Sequence, residues 1–162
     1  MSIDHGSVRI IDGLSTAGVE YIVVGMTAAV LLGAPAVTFD LDIVHRRSDA
    51  NVDRLLAWLL AHGAYHRLDL ANRKLPPTRE PLLGGGHLNL QTDAGKLDVL
   101  CELGVGEGYD EIHADSVDLD IEGHVVRVLD LPRLIAVKAR ANRPKDRAVL
   151  PLLLATLDER TK

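Results

Sequence analysis

Apolar and polar positions follow two different periods along this chain, and the switches between them mark its elements. Val8, Ile11 and Leu14, with Ile10 beside them, recur at helical spacing as far as Gly18, which predicts an opening helix closed by a turn. The run YIVV that follows is uninterrupted and reads as a short buried strand. Gly25 breaks it, and Thr27 to Leu32 reads as a small helix closed by Gly33 and Pro35. In TFDLDIV the period falls to two, with Leu41 and Ile43 on one face and Thr38, Asp40 and Asp42 on the other. SDANVDRLLAWLLAHG returns to helical spacing. Ser48 or Asp49 caps it, Val52, Leu55, Leu56, Leu59 and Leu60 form the stripe, and Gly63 stops it.

From Asn72 to Gly86 the periodicity disappears. NRKLPPTREPLLGGG carries three prolines and three glycines, which predicts a long, mobile loop. HLNLQ and KLDVLC, joined by TDAG, read as one hairpin, and after a Gly-punctuated segment VDLDI and HVVRVL flank EGH as a second. Asp130 caps a helix with Pro132 in its first turn, Pro144 begins another, and Pro151 is expected to kink or split that last helix. There are no repeats and no low-complexity tails. The order of elements predicts an α/β (α+β) fold, a mixed β-sheet flanked by helices with a helical C-terminus. The expectation is one domain over 1–162, with its core at about 19–129 and a helical segment at about 130–160.

Composition narrows the picture. At 162 residues and 47% hydrophobic the chain can build a core without metal or disulfide support; with 3% aromatic residues that core must be aliphatic. A net charge of −5 argues against a surface that clings everywhere to nucleic acid or anionic membrane. The segment Asp130–Arg147 departs from this, with six basic residues against two acids, which leaves room for a local anion site. Cys101 is alone, which fits a reducing cytoplasm, and MSIDHGSVRI lacks the apolar core of a signal peptide; the expected location is cytoplasmic. Tyr21 to Phe39 is nineteen residues without a charge, near the length that spans a bilayer. Gly25, Gly33 and Pro35 interrupt it and no aromatic belt flanks it, so a strand and a short helix account for it better.

The acids are the exception on an otherwise apolar strand. Residues two apart on a strand project from one face with Cα atoms ~6.6 Å apart, so the carboxylates of Asp40 and Asp42 can converge on a cation. Buried without compensation, each would lose its hydration at high cost. Oxygen ligands with no Cys or His at metal spacing favour Mg²⁺ or Mn²⁺ over zinc. Asp98, on GKLDVL with Leu97 and Val99 facing the other way, is a third strand acid. Three of them on one face bring the two-metal arrangement of phosphoryl or nucleotidyl transfer within reach. A solvated edge strand would show the same D-x-D pair, so the pair alone does not decide. What adds weight is a strand ending at Gly25 with a helix N-terminus at Thr27, an arrangement that holds phosphate.

A strand ending in Gly, a short helix, T-x-D-L-D-I, a later strand Asp and a K-x-x-x-x-R-x-K-D helical tail together resemble the DNA polymerase beta-like nucleotidyltransferase superfamily. The likeness is strongest to its small bacterial members, the abortive-infection toxin type and the minimal nucleotidyltransferases, and it covers about Tyr21 to Asp146. The resemblance implies that Asp40, Asp42 and Asp98 bind the catalytic metal ions. It implies that Asp98 also helps deprotonate the acceptor hydroxyl, and that Gly25, Met26 and Thr27 cradle the phosphates of a nucleoside triphosphate such as ATP. Lys138, on the same side of its helix as Leu131, Leu134 and Ile135, would then meet the triphosphate or the carboxylates, although a stem packed on the core with its ammonium in water would look the same. Arg143, Lys145 and Asp146 match the tail and are secondary candidates, equally explained by surface pairing.

The implied activity is Mg²⁺-dependent transfer of an NMP from an NTP to a hydroxyl. No added acceptor-binding domain is evident, which points to RNA or protein as acceptor, within a toxin-antitoxin system by resemblance, with a cognate antitoxin or a second copy as partner and no membrane. Two positions depart from the pattern. Met26 stands where the family usually has a second Gly or a Ser, and Ala36 where many relatives carry Arg. Both predict a weakened grip on triphosphate and keep open a second reading, a catalytically inactive nucleotide-binding or interaction module. Other signals carry less: GGG at Gly84 to Gly86 lacks the Lys-Ser or Lys-Thr of a phosphate loop, and His62 and His66 are separated by a helix end. Cys101 reads as a small core residue, and Arg73, Lys74 and Arg79 as solvated loop charges.

Overall fold

The computed structural model describes residues 3–162. Helix α1 (His5–Thr16) leads into strand β1 (Tyr21–Val24), helix α2 (Gly25–Leu31), strand β2 (Asp40–His45) and helix α3 (Asp49–Ala61). The two-residue strand β3 (Tyr65–His66) and helix α4 (Arg79–Leu83) precede the hairpin β4 (His87–Thr92) and β5 (Gly95–Leu100). Helix α5 (Tyr109–Ile112) and a 3-10 turn lead to the second hairpin, β6 (Ser116–Ile121) and β7 (His124–Leu129). Helices α6 (Leu131–Ala141) and α7 (Pro144–Arg160) close the chain. The strands form one seven-stranded mixed sheet in the order β3-β4-β5-β2-β1-β7-β6, the mixed α/β architecture that the pattern of elements predicts.

Burial follows the sequence periods. Leu41 and Ile43 on β2, Leu90 on β4, and Leu97 and Val99 on β5 are inaccessible to solvent. They share one aliphatic core with Ile10, Ile11 and Leu14 of α1 and Val52, Leu55 and Leu59 of α3. Each such side chain contributes about 1.5–3 kcal/mol relative to exposure. The polar alternates Asp40, Asp42 and Asp98 are thereby turned to the opposite face. Ser48 caps α3 by accepting from the Asn51 amide, and Asp130 caps α6 by accepting from the Arg133 amide. The nineteen uncharged residues from Tyr21 divide into β1, α2 and a loop, and among the described residues no helix is long and apolar enough to cross a membrane.

The structure corrects the loop reading, adds a strand, and excludes a split of the last helix. The segment 72–86 is not a featureless loop: it contains α4, whose Leu82 is completely buried and whose Arg79 pairs with Asp49 and Asp53 of α3. His45, buried on β2, donates from Nε2 to the Leu82 carbonyl at 2.7 Å, fastening this segment to the sheet. Strand β3 has no counterpart in the sequence reading; two residues are too few to show a period. Pro151 lies inside α7 without splitting it. The carbonyl that loses its partner there belongs to Arg147, and both residues are exposed, so water can satisfy it.

Candidate active site

Strand register builds the site. β2 runs parallel to β5 with Asp42 opposite Asp98, and β5 runs antiparallel to β4 with Asp98 opposite Asn89. Asp40 is opposite Lys96, whose Nζ lies 4.0 Å from its carboxylate. On the other side of β2, Val24 is opposite Asp42, so the chain leaves β1 for α2 directly beside that carboxylate. Gly25 makes the turn at φ +67°, and a Cβ there would collide with the Asp42 carboxylate. The glycine is required twice, for its left-handed backbone and for the absent side chain.

The phosphate-side candidates divide. Thr27 is buried and its hydroxyl donates to the Asp40 carbonyl at 2.8 Å, so it ties α2 to β2 and leaves no hydroxyl for a ligand. Met26 packs partly on the core and also walls a cleft of about 280 Å³ lined by Asp40, Asp42, Asp98, Lys138 and Lys145. Of the close backbone approach expected here, Gly25 supplies what this structure offers, since α2 spans only seven residues.

Lys138 and the tail motif form a second buried unit. Asp146 has a side chain with no solvent exposure, and it accepts from the Arg143 amide at 3.1 Å, from Arg143 Nε at 2.6 Å and from Arg143 Nη2 at 3.1 Å. Lys138 Nζ is 3.4 Å from the same carboxylate. These donors hold the Asp146 carboxyl far below the usual carboxylate range, Arg143 first among them. Lys138, 17% exposed, is thus fixed at the wall shared by the acid cleft and a second cleft of about 490 Å³. That second cleft runs from Gly25 and Asp42 between Leu103, Leu134 and Val137 to a rim at Arg140 and Arg143. An apolar slot with one acid, Asp42, and several cations at its ends suits a ligand with a flat base at one end and phosphates at the other.

The electrostatics single out Asp42. Burial, a hydrogen bond to Asp98, and the charges of Asp98 and Asp40 push its carboxyl up to about 7, against the opposing charge of Lys138. Asp98 goes the other way: burial would raise it, but donors from Arg67 at 2.6 Å and Asn89 at 3.0 Å hold it below its ordinary value. Asp42, raised in this way and flanked by Asp40, offers oxygen donors only, which fits a hard divalent cation at Asp40 and Asp42. Among the described residues, however, no three His, Cys, Asp or Glu side chains are grouped as a ready metal site.

The sequence reading named Asp40, Asp42, Asp98, Gly25, Met26, Lys138 and Lys145, and the structure brings all seven to the two adjoining clefts. It did not name Arg67 or Asn89, and it counted Arg140 only among the basic residues of the segment Asp130–Arg147. For Asn89 the predicted hairpin held the signal, since pairing KLDVLC with HLNLQ places a polar residue opposite Asp98. His62, once weighed for zinc, pairs with Asp93 at 3.1 Å and stacks on Trp58. Cys101 is buried, as expected of a small core residue.

No family model matches the chain, and no curated protein matches it. Solved structures do. The lincosamide antibiotic adenylyltransferase LnuA, in its lincomycin-bound form, superposes with a TM-score of 0.64 at 10% identity, over 96% of this chain and 99% of that one. A candidate nucleotidyltransferase from Thermotoga maritima gives 0.59 at 15% identity, over 94% and 95%. An antigenic nucleotidyltransferase-like protein from Paracoccidioides brasiliensis gives 0.60 at 16% identity, over 94% and 73%. At such identities the likeness concerns architecture, and the chain has the nucleotidyltransferase fold.

Proposed function

We propose that the protein is a Mg²⁺-dependent nucleotidyltransferase that moves an NMP from an NTP to an acceptor hydroxyl. The observation that carries this reading is the convergence of Asp40, Asp42 and Asp98 on one cleft with Lys138, Asp42 and Asp98 being in register on adjacent strands beside Gly25. A bound Mg²⁺, or Mn²⁺, would supply positive charge for the α-phosphate and its leaving group. Asp40 and Asp42 hold it. The Gly25 backbone admits the phosphates close to Asp42, and Lys138 and Lys145 meet their charge. The acceptor oxygen attacks the α-phosphorus, its proton passes to Asp98, and the bond to the bridging oxygen breaks so that pyrophosphate leaves with that electron pair.

The acceptor class rests on less. The resemblance to toxin-type members points to RNA or protein, within a toxin-antitoxin pair. A small-molecule acceptor also fits a fold of this extent, because LnuA, matched over 99% of its length, holds lincomycin. One observation favours a second reading, a nucleotide-binding module without catalysis: Met26 walls the acid cleft and the Thr27 hydroxyl is already committed. Incubation with α-labelled NTPs, Mg²⁺ and cell extract separates the two. Catalysis predicts label moving to RNA, protein or a small molecule, and its loss in Asp40→Asn and Asp98→Asn. Saturable Mg²⁺-dependent nucleotide binding with no transfer in any fraction would establish the module instead.

A further inference from the structure

Four neighbouring chain segments place a single polar row across the sheet: Asp42, Asp98, Asn89 and Arg67. The last joins it because the Arg67 amide donates to the Asn89 carbonyl just beyond β3. Arg67 Nη1 has two hydrogens and uses both. One goes to Asp98 Oδ1 at 2.6 Å, the other to the Leu90 carbonyl at 3.0 Å. The same Oδ1 accepts from Asn89 Nδ2 at 3.0 Å. Arg67 and Asp98 are only 17% and 13% exposed, so this pair is shielded from competing water, and the backbone carbonyl of Leu90 fixes the guanidinium independently of the acid.

We infer that Arg67 takes the place of a second divalent cation: the site holds one ion, at Asp40 and Asp42, and Arg67 is a positioning residue that keeps Asp98 for the acceptor. This rests on the nucleotidyltransferase reading and deepens it. In a two-ion site all three carboxylates would point oxygens at metal. Here Oδ1 of Asp98 already accepts from two donors, so one of its two oxygens is committed before any ion arrives. The absence of a three-ligand cluster among the described residues fits a site in which one acid is already engaged.

The test counts ions rather than turnovers. Mn²⁺ bound per protein is measured by electron paramagnetic resonance and calorimetry at saturating, non-transferable α,β-methylene ATP. The expected count is one for the native protein, one for Arg67→Lys, which keeps the cation, and one for Asp98→Asn. Arg67→Met, which frees Asp98, is expected to take two. A native count of two, falling to one in Asp98→Asn, overturns this inference and leaves the nucleotidyltransferase reading standing. A native count of zero overturns both. Should Arg67→Met not fold, the native, Arg67→Lys and Asp98→Asn counts decide the matter.

Discussion

At the junction of α6 and α7, Asp146 lies out of solvent with an arginine wrapped around it and a lysine beside it; on the sheet, Asp42 is half-buried in the wall of two clefts and faces two other carboxylates. The first carboxyl is driven far below its usual range and the second is driven up to about 7. The same residue type, wholly withdrawn from water in one place and partly in the other, thus serves two ends. A buried charge with its counter-ions in place is part of the framework. One without them is an expense that a protein keeps for a ligand.

Exchanging the acids breaks the comparison most strongly. Asp146→Asn leaves Arg143 and Lys138 without their shared anion, and thermal unfolding should show Tm falling by roughly 5–10 °C. Asp42→Asn should do the reverse in the absence of divalent ions, raising Tm by about 2–5 °C at pH 8 because it removes an uncompensated charge. Equal losses in both variants would mean that the two acids are not different in kind.

Gly25→Ala probes the same contrast from the backbone. Its methyl would meet the Asp42 carboxylate at a left-handed residue, so a loss of about 1–3 kcal/mol in urea unfolding is expected, together with loss of any Mg²⁺-induced stabilisation. A Gly25→Ala protein that responds to Mg²⁺ like the native one would remove the close approach from the account.

Acidity sharpens it further. Asp42 is protonated in the folded protein up to about pH 7, whereas an unfolded Asp loses its proton near pH 4. Between those values the unfolded chain sheds the proton first, so stability is greatest at the acid end and declines as pH rises to about 7, by on the order of 1–3 kcal/mol. Asp146 contributes the opposite slope, but below pH 4, since its folded value lies beneath its unfolded one. Denaturant titrations at pH 5, 6, 7 and 8 should show the decline in the native protein and a flat profile in Asp42→Asn. Added Mg²⁺ should flatten the native profile too, by displacing the proton.

Much of this was legible beforehand because the relevant residues sit in elements long enough to show a period. Six-residue β2 and β5 alternate cleanly, so the acids could be assigned to one face, and Lys138 fell on the inner side of a helix with a clear stripe. Arg67 was out of reach for the converse reason. It follows a strand of two residues, and only the pairing of Tyr65 with Gln91 and His66 with Leu90 brings it alongside Asp98. Leu82 was hidden among prolines and glycines, where a single buried side chain leaves no pattern. The roles of Thr27 and Asp146 depend on which partner a hydroxyl or carboxylate meets, and that is a property of packing between distant segments.

The central claim is that Asp40 and Asp42 await a divalent cation carrying nucleotide. It is tested most directly by isothermal titration of ATP into the protein at pH 7.5 with and without Mg²⁺, in parallel with Asp42→Asn. The account predicts saturable binding to the native protein that needs Mg²⁺ and disappears in the variant. Binding of equal strength without Mg²⁺, or undiminished in Asp42→Asn, would contradict it.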